Sequence, residues 1–326
     1  MAHNLTILPD PPPPPTPIGL IAGGGQLPIA IARNLQQAGH PVHVLALAGQ
    51  PDEELGDFAT TMQSVGLLRV GTWSRKLAKL DVRHAIMVGR VDKARIMHDP
   101  LRYVHYIPDV RTMIAWYRHL RHDRRSHAIL SAIAEELDRN GIALLDSTAP
   151  IPDELSSAGV MTKAKPNADQ RADIDFVWPL LAELLRLDIG QSVAVRCRDV
   201  VAVEAVEGTD RMIERAGKLC RAPGWTLCKG ARAGHDRRAD VPTVGPDTLE
   251  NMAAAGGRCL ALAAGDVIML EKSRMIDRAD QLGIAIVGVP TAQPGAVTQL
   301  VHAADTEATA TPTKPEPQVI ASTFGS

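Results

Sequence analysis

Aromatic residues are scarce: Phe, Trp and Tyr make up 3% of the 326 residues. So thin a supply argues against the stacked rings on which single-stranded nucleic acids are bound. An excess of one charge is missing too. The formal net charge of −2 leaves no footprint for a polyanion, so no nucleic-acid partner is expected. Cysteine is sparse, and Cys197, Cys220, Cys228 and Cys259 form no CxxC pair. That spacing argues against a zinc site and for a reducing compartment. No apolar run approaches the roughly 20 residues of a membrane span. The first residues lack the basic-then-apolar layout of a signal peptide. A cytoplasmic location is expected.

What the chain does have is apolar substance, at 45%, and a length natural for two domains. Pro11 to Pro15 make residues 1–17 a stiff, disordered appendage. Residues 291–326, rich in Thr, Ala, Pro and Gln, are expected to be disordered as well. Residues 18–150 read as one folded domain, 151–171 as a linker poor in apolar residues, and 172–290 as a second domain.

The first domain opens with an apolar run, Ile18 to Ala22, then Gly23-Gly24-Gly25-Gln26, then helical spacing through Ile29, Ile31, Ala32 and Leu35 to Gly39. Val42 to Leu47 is a second buried strand, which completes a βαβ unit on a parallel sheet. A glycine turn feeding a helix N-terminus can donate backbone N–H groups to a phosphate. A tight turn chosen for packing is the other reading. No acidic residue follows the second strand to hold a ribose, so a nicotinamide dinucleotide is not the favoured ligand. Arg90 lies just past the strand Ala85 to Gly89, where open α/β sheets bind ligands, although a solvated loop would look the same. Residues 101–127 are dense in His, Arg and Tyr; arginines that would repel a cation favour a solvated basic helix face over a metal cluster, with anion binding left open.

In the second half, strands are expected at 192–195, 199–206, 226–229, 259–262, 267–270 and 284–289, with a helix over 272–282. Another helix follows Glu207-Gly208-Thr209-Asp210, with Thr209 or Asp210 as its N-cap. Asp173, Asp175 and Asp188 are carboxylates of interest. The stretch Arg237 to Gly245 (RRADVPTVG) presents charge from a strand end or loop. Arginine forks suit phosphate oxygens, and a lone carboxylate suits a metal ion or a water. An inert surface Arg–Asp pair is the alternative.

These motifs together resemble a known family. Gly19 to Pro28 (GLIAGGGQLP), Ala172 to Asp175 (ADID), Leu187 to Gln191 (LDIGQ), Glu204 to Asp210 (EAVEGTD) and Arg238 to Gly245 (RADVPTVG) are similar to the LpxI-type UDP-2,3-diacylglucosamine pyrophosphatases of lipid A biosynthesis. The resemblance covers about residues 18–290. It implies a Rossmann-like N-terminal domain, a second α/β domain, and a cleft that holds a UDP-sugar carrying two acyl chains. It also implies hydrolysis of the pyrophosphate with Mg²⁺, peripheral contact with the inner membrane, and a homodimer.

On that resemblance Asp240 binds Mg²⁺ or orients water, Arg238 and Lys229 neutralise phosphate, and Asp173 and Asp175 complete the metal site. Gly23, Gly24, Gly25, Gln26, Arg90, Asp188, Gln191, Glu207, Thr209, Asp210 and Thr243 are the expected substrate-binding residues. Ser74-Arg75 and Arg90 depart from the family pattern. A related UDP-sugar as substrate, or a non-catalytic nucleotide- or lipid-binding protein, therefore stays open.

Overall fold

The computed structural model describes residues 11–47, 53–91, 107–115, 117, 126–232, 234–238 and 241–291. Asp240, most of the basic 101–127 segment, and both expected tails beyond residues 11 and 291 lie outside the described residues.

The first sheet has five parallel strands, β1 (Ile18–Ala22), β2 (Val42–Leu47), β3 (Thr61–Val65), β4 (His84–Val88) and β5 (Ala143–Leu144), in the order β3-β2-β1-β4-β5. Strand β1 is buried at every position, as a central strand covered on both faces must be. Helix α1 (Gln26–Gln37) lies over one face, where Ile29, Ile31 and Leu35 pack on Ile18, Leu20 and Val44. Helices α2 (Val70–Lys79), α3 (Val110–Ala115) and α4 (Ser126–Asp138) belong to the other side, where Trp73, Leu77 and Leu137 pack on Ile21, Leu45 and Ala85. Strand β3 closes the edge with two exposed positions in alternation.

The second sheet has six strands in the order β6-β13-β11-β9-β7-β8. These are β6 (Gly159–Val160), β7 (Ser192–Arg196), β8 (Asp199–Val203), β9 (Trp225–Lys229), β11 (Gly257–Ala263) and β13 (Ala285–Val289). The centre, β9-β11-β13, is parallel, whereas β6 and the hairpin β7–β8 add antiparallel edges. A separate two-stranded ladder joins β10 (Thr243–Val244) to β12 (Ile268–Met269). Helices α5 (Ala168–Arg186), α6 (Thr209–Leu219), α7 (Pro246–Ala254) and α8 (Lys272–Leu282) complete this half.

Two expectations are corrected. Residues 151–171 are not a plain linker: Pro152–Glu154 form a 3₁₀ turn, 159–160 pair with β13, and α5 starts at Ala168. The cause is a capping box in which the Asn167 side chain accepts from the Gln170 N–H (2.8 Å) and Gln170 accepts from the Asn167 N–H (3.0 Å). The N-cap of α6 is Gly208 at φ 83°, not Thr209 or Asp210, and no side chain caps that end. Gly208 takes the left-handed conformation that a side chain would resist, and Thr209 is thereby turned to other partners.

The two halves are stitched together. Ile268 of β12 is fully buried in the core beneath α1, with Val241 packed against it. The Ser147 N–H (2.9 Å) and hydroxyl (2.7 Å) both donate to the Arg237 carbonyl.

Candidate active site

In the first sheet the chain leaves β1 for one side and reaches β4 on the other, so the strand order reverses between β1 and β4. The crevice at their C-terminal ends is where such sheets take ligands. The glycine turn occupies it. Gly23 N–H donates to the Val88 carbonyl (2.8 Å), while Gly24 and Arg90 exchange N–H···O bonds of 2.8 Å each. A Cβ on Gly23 would sit 2.6 Å from the Arg90 carbonyl oxygen. The close approach that Gly23 permits is therefore to the chain's own backbone. Gly25, at φ 95°, is the N-cap of α1, and no side chain caps that helix. Its first-turn N–H groups, beginning at exposed Gln26, are left to a ligand or to water.

The facing half is built from side chains. Lys229, the last residue of β9, is only 3% exposed. Such a charge is tolerable only with partners, and three segments supply them. The ammonium donates to Thr209 Oγ1 (2.8 Å) and Ser192 Oγ (3.2 Å), and lies 3.7 Å from Glu204 Oε2. The Thr209 hydroxyl in turn donates to Glu204 Oε1 (2.9 Å). The register explains the convergence: Ser192 lies opposite Lys229 across β7 and β9, Glu204 follows the end of β8, and Thr209 opens α6. The backbone adds to it, since Glu204 N–H donates to the Ser192 carbonyl (2.9 Å) and Gly230 N–H to the Gln191 carbonyl (3.0 Å).

Asp210 sits in the first turn of α6, where the helix dipole favours an anion. It accepts from Asn251 Nδ2 (3.2 Å) and lies 4.0 Å from Arg90 Nη1. This contact sets the end of the glycine turn against the first turn of α6, the helix that carries Thr209. Glu207 points elsewhere, to Arg215 (2.5 Å). Its own backbone N–H, and next the Arg215 guanidinium, hold its carboxyl below the usual range.

Several expected site residues prove to be engaged. Arg238 forks onto Asp236 through Nε (2.8 and 2.9 Å) and Nη2 (2.5 Å), and this bonding raises its pKa further. Arg237 binds Asp266 (2.5 Å) and the Gly265 carbonyl (2.7 Å). The Thr243 hydroxyl donates to the Val241 carbonyl (3.1 Å). Asp240 lies outside the described residues, between Arg238 and a Val241 that packs against the first core.

Asp173 and Asp175 are not brought together. They stand two apart on α5, which places them on opposite faces of the helix. Asp173 is buried and accepts the Arg198 N–H (2.6 Å), pinning the β7–β8 turn, whereas Asp175 is exposed. Asp188 is exposed in the turn after α5, at φ 57°. Among the described residues no group of three or more His, Cys, Asp or Glu could hold a metal ion. Asp173 and Asp175, on opposite faces of α5, therefore do not form a shared pair of ligands. Glu204 and Ser192 were not among the expected site residues. The signal for them was the lysine at the end of the buried run Trp225 to Lys229, which demands partners once it is inside.

Models of the LpxI N-terminal domain and the LpxI C-terminal domain match residues 17–154 and 157–287. The chain is 30% identical over 283 residues to a Caulobacter vibrioides protein named UDP-2,3-diacylglucosamine pyrophosphatase LpxI, an alignment that spans 83% of this chain and 97% of that one. With both halves matched in order and the alignment running through most of each chain, the chain belongs to the LpxI family.

Proposed function

We propose that this chain hydrolyses the pyrophosphate bond of UDP-2,3-diacylglucosamine, giving 2,3-diacylglucosamine 1-phosphate and UMP in lipid A biosynthesis. The observation that carries the reading is the Arg90–Asp210 contact, which sets the end of the glycine turn against the first turn of α6, the helix that carries Thr209 of the Lys229–Thr209–Glu204 cluster. A diphosphate needs donors along its length, and the uncapped N-terminus of α1 with the exposed Arg90 guanidinium supplies them on one side. Asp240 is assigned to the hydrolytic step, where it orients the attacking water or holds Mg²⁺ together with the diphosphate oxygens. Mg²⁺ commonly binds through one or two carboxylates and substrate phosphates, so it needs no all-protein cage. When bound it neutralises charge that develops on the phosphoryl oxygens. Lys229, buried and engaged, acts as a positioning residue that fixes Thr209 and Glu204 at the cleft wall.

No helix among the described residues is long and apolar enough to cross a membrane. The reading places the chain in the cytoplasm, in peripheral contact with the inner membrane that holds its diacylated substrate, and as a homodimer. The test is hydrolysis of UDP-2,3-diacylglucosamine with and without Mg²⁺, comparing the natural chain with Asp240→Ala. The variant should lose at least about 10²-fold in kcat at an unchanged melting temperature. Binding of the substrate by the natural chain without turnover would overturn the reading.

A further inference from the structure

The segment around α3 is turned inside out. Its polar side chains face the protein. Asp109 accepts the Thr72 N–H (3.0 Å) and both the N–H and hydroxyl of Thr112 (2.9 Å each), the Thr112 hydroxyl accepts the Val70 N–H (3.1 Å), and Arg111 reaches the buried Glu136 carboxylate (3.0 Å). Its apolar side chains face out: Ile107 is 48% exposed, Val110 72%, Met113 57%, Ile114 43% and Tyr117 68%. Val110, Met113 and Ile114 share one face of α3 at i, i+3 and i+4 spacing, with Ile107 before the helix and Tyr117 beyond it. Leu68, 39% exposed, adjoins it through the bond from Asp109 N–H to its carbonyl (3.1 Å).

Cations border the stripe. Arg69 donates to the Ile107 carbonyl (3.3 Å), Arg111 keeps 56% of its side chain exposed, and Arg75 is exposed on α2. Asp109 and Glu136, the acids bonded to this segment above, are both occupied by its own groups.

We infer that this face docks on the surface of an anionic phospholipid bilayer. An apolar stripe edged by arginines is the pattern of a helix lying in a membrane interface, with apolar side chains among the acyl chains and guanidinium groups at the headgroups. A second copy of the chain is the poorer fit. The stripe offers on the order of a few hundred Å², against about 800 Å² per partner in a standard interface. Like-charged arginines would also face each other across a two-fold axis. The inference deepens the lipid-substrate reading and rests on it for its biological purpose, but its test uses no substrate, so the two fail separately.

Flotation of the full chain with phosphatidylcholine vesicles, with and without phosphatidylglycerol, is the measurement. The chain should float with the anionic vesicles and be released by added salt. Val110→Glu/Met113→Glu should float at least about tenfold less, with an unchanged melting temperature. If that variant fails to fold, Val110→Ser/Met113→Ser is read instead and should show the same direction. The inference is overturned if the natural chain stays with the pellet, or if the stripe variant floats equally well. It is also overturned if the variant changes the oligomeric state on gel filtration while vesicle binding persists, which would make the stripe a contact between copies.

Discussion

At the cleft, the first sheet contributes backbone and the second contributes side chains. Beyond β1 and β4 the surface is a glycine turn locked by three backbone hydrogen bonds, with Arg90 as its charged group. Beyond β7, β8 and β9 it is a buried set of Lys229, Ser192, Thr209 and Glu204 that contact one another. The difference shows how each half fails. A backbone surface carries little charge to unbalance, but it has no room for a Cβ. A buried polar cluster has a fixed stoichiometry, and removing one member leaves another desolvated and unpaired.

The largest effect expected from this contrast is at Lys229. Lys229→Met should cost about 3–5 kcal/mol in denaturant unfolding, because Glu204 would keep its burial and lose its cation. Adding Glu204→Gln should restore part of that loss. A single variant as stable as the natural chain would show that the cluster is not coupled.

An intermediate effect is expected in the backbone half. Gly23→Ala should cost about 1–3 kcal/mol, since its Cβ meets a carbonyl oxygen at 2.6 Å that belongs to backbone and cannot swing aside. Gly25→Ala meets nothing closer than 3.9 Å and pays only for a backbone at φ 95° and ψ 174°, about 1–3 kcal/mol. Thermal unfolding of the two variants side by side would separate close approach from conformation.

The smallest stability effect lies at the contact between the halves. The Arg90–Asp210 pair is 84% and 56% exposed at 4.0 Å, so Arg90→Ala should change stability by less than about 0.5 kcal/mol. Its effect should appear instead as a several-fold rise in KM for the UDP-sugar. An unchanged KM would remove Arg90 from the binding surface and leave that half of the cleft to backbone alone.

Much of the fold was legible because strands buried on both faces are written as continuous apolar runs. Strands β1, β2, β4, β9 and β13 lie where Ile18 to Ala22, Val42 to Leu47, Ala85 to Gly89, Thr226 to Lys229 and Ile284 to Val289 place them. Strand β3 was not legible: Thr61-Met62-Gln63-Ser64-Val65 is an edge strand with little apolar content. Helix α3 was passed over for a different reason, because the 101–127 segment was read by its basic charge and not by the apolar spacing of Val110, Met113 and Ile114. The glycine turn was visible, but its purpose was split between ligand and packing. The Gly23–Arg90 approach shows that at least one of the three glycines serves packing.

By itself, then, the sequence determined two α/β units, the strand–glycine–helix opening of the first, and the family motifs of the second, because each is encoded in neighbouring residues. Tertiary structure alone decided which charges meet. Lys229 finds Glu204, Thr209 and Ser192 across 20 to 37 residues of chain, while Asp173 and Asp175, two residues apart, are parted by the helix that carries them. The physical reason is desolvation: a charge carried inside by its strand must be paired there, and the available partner is set by sheet register and helix start, not by proximity along the chain.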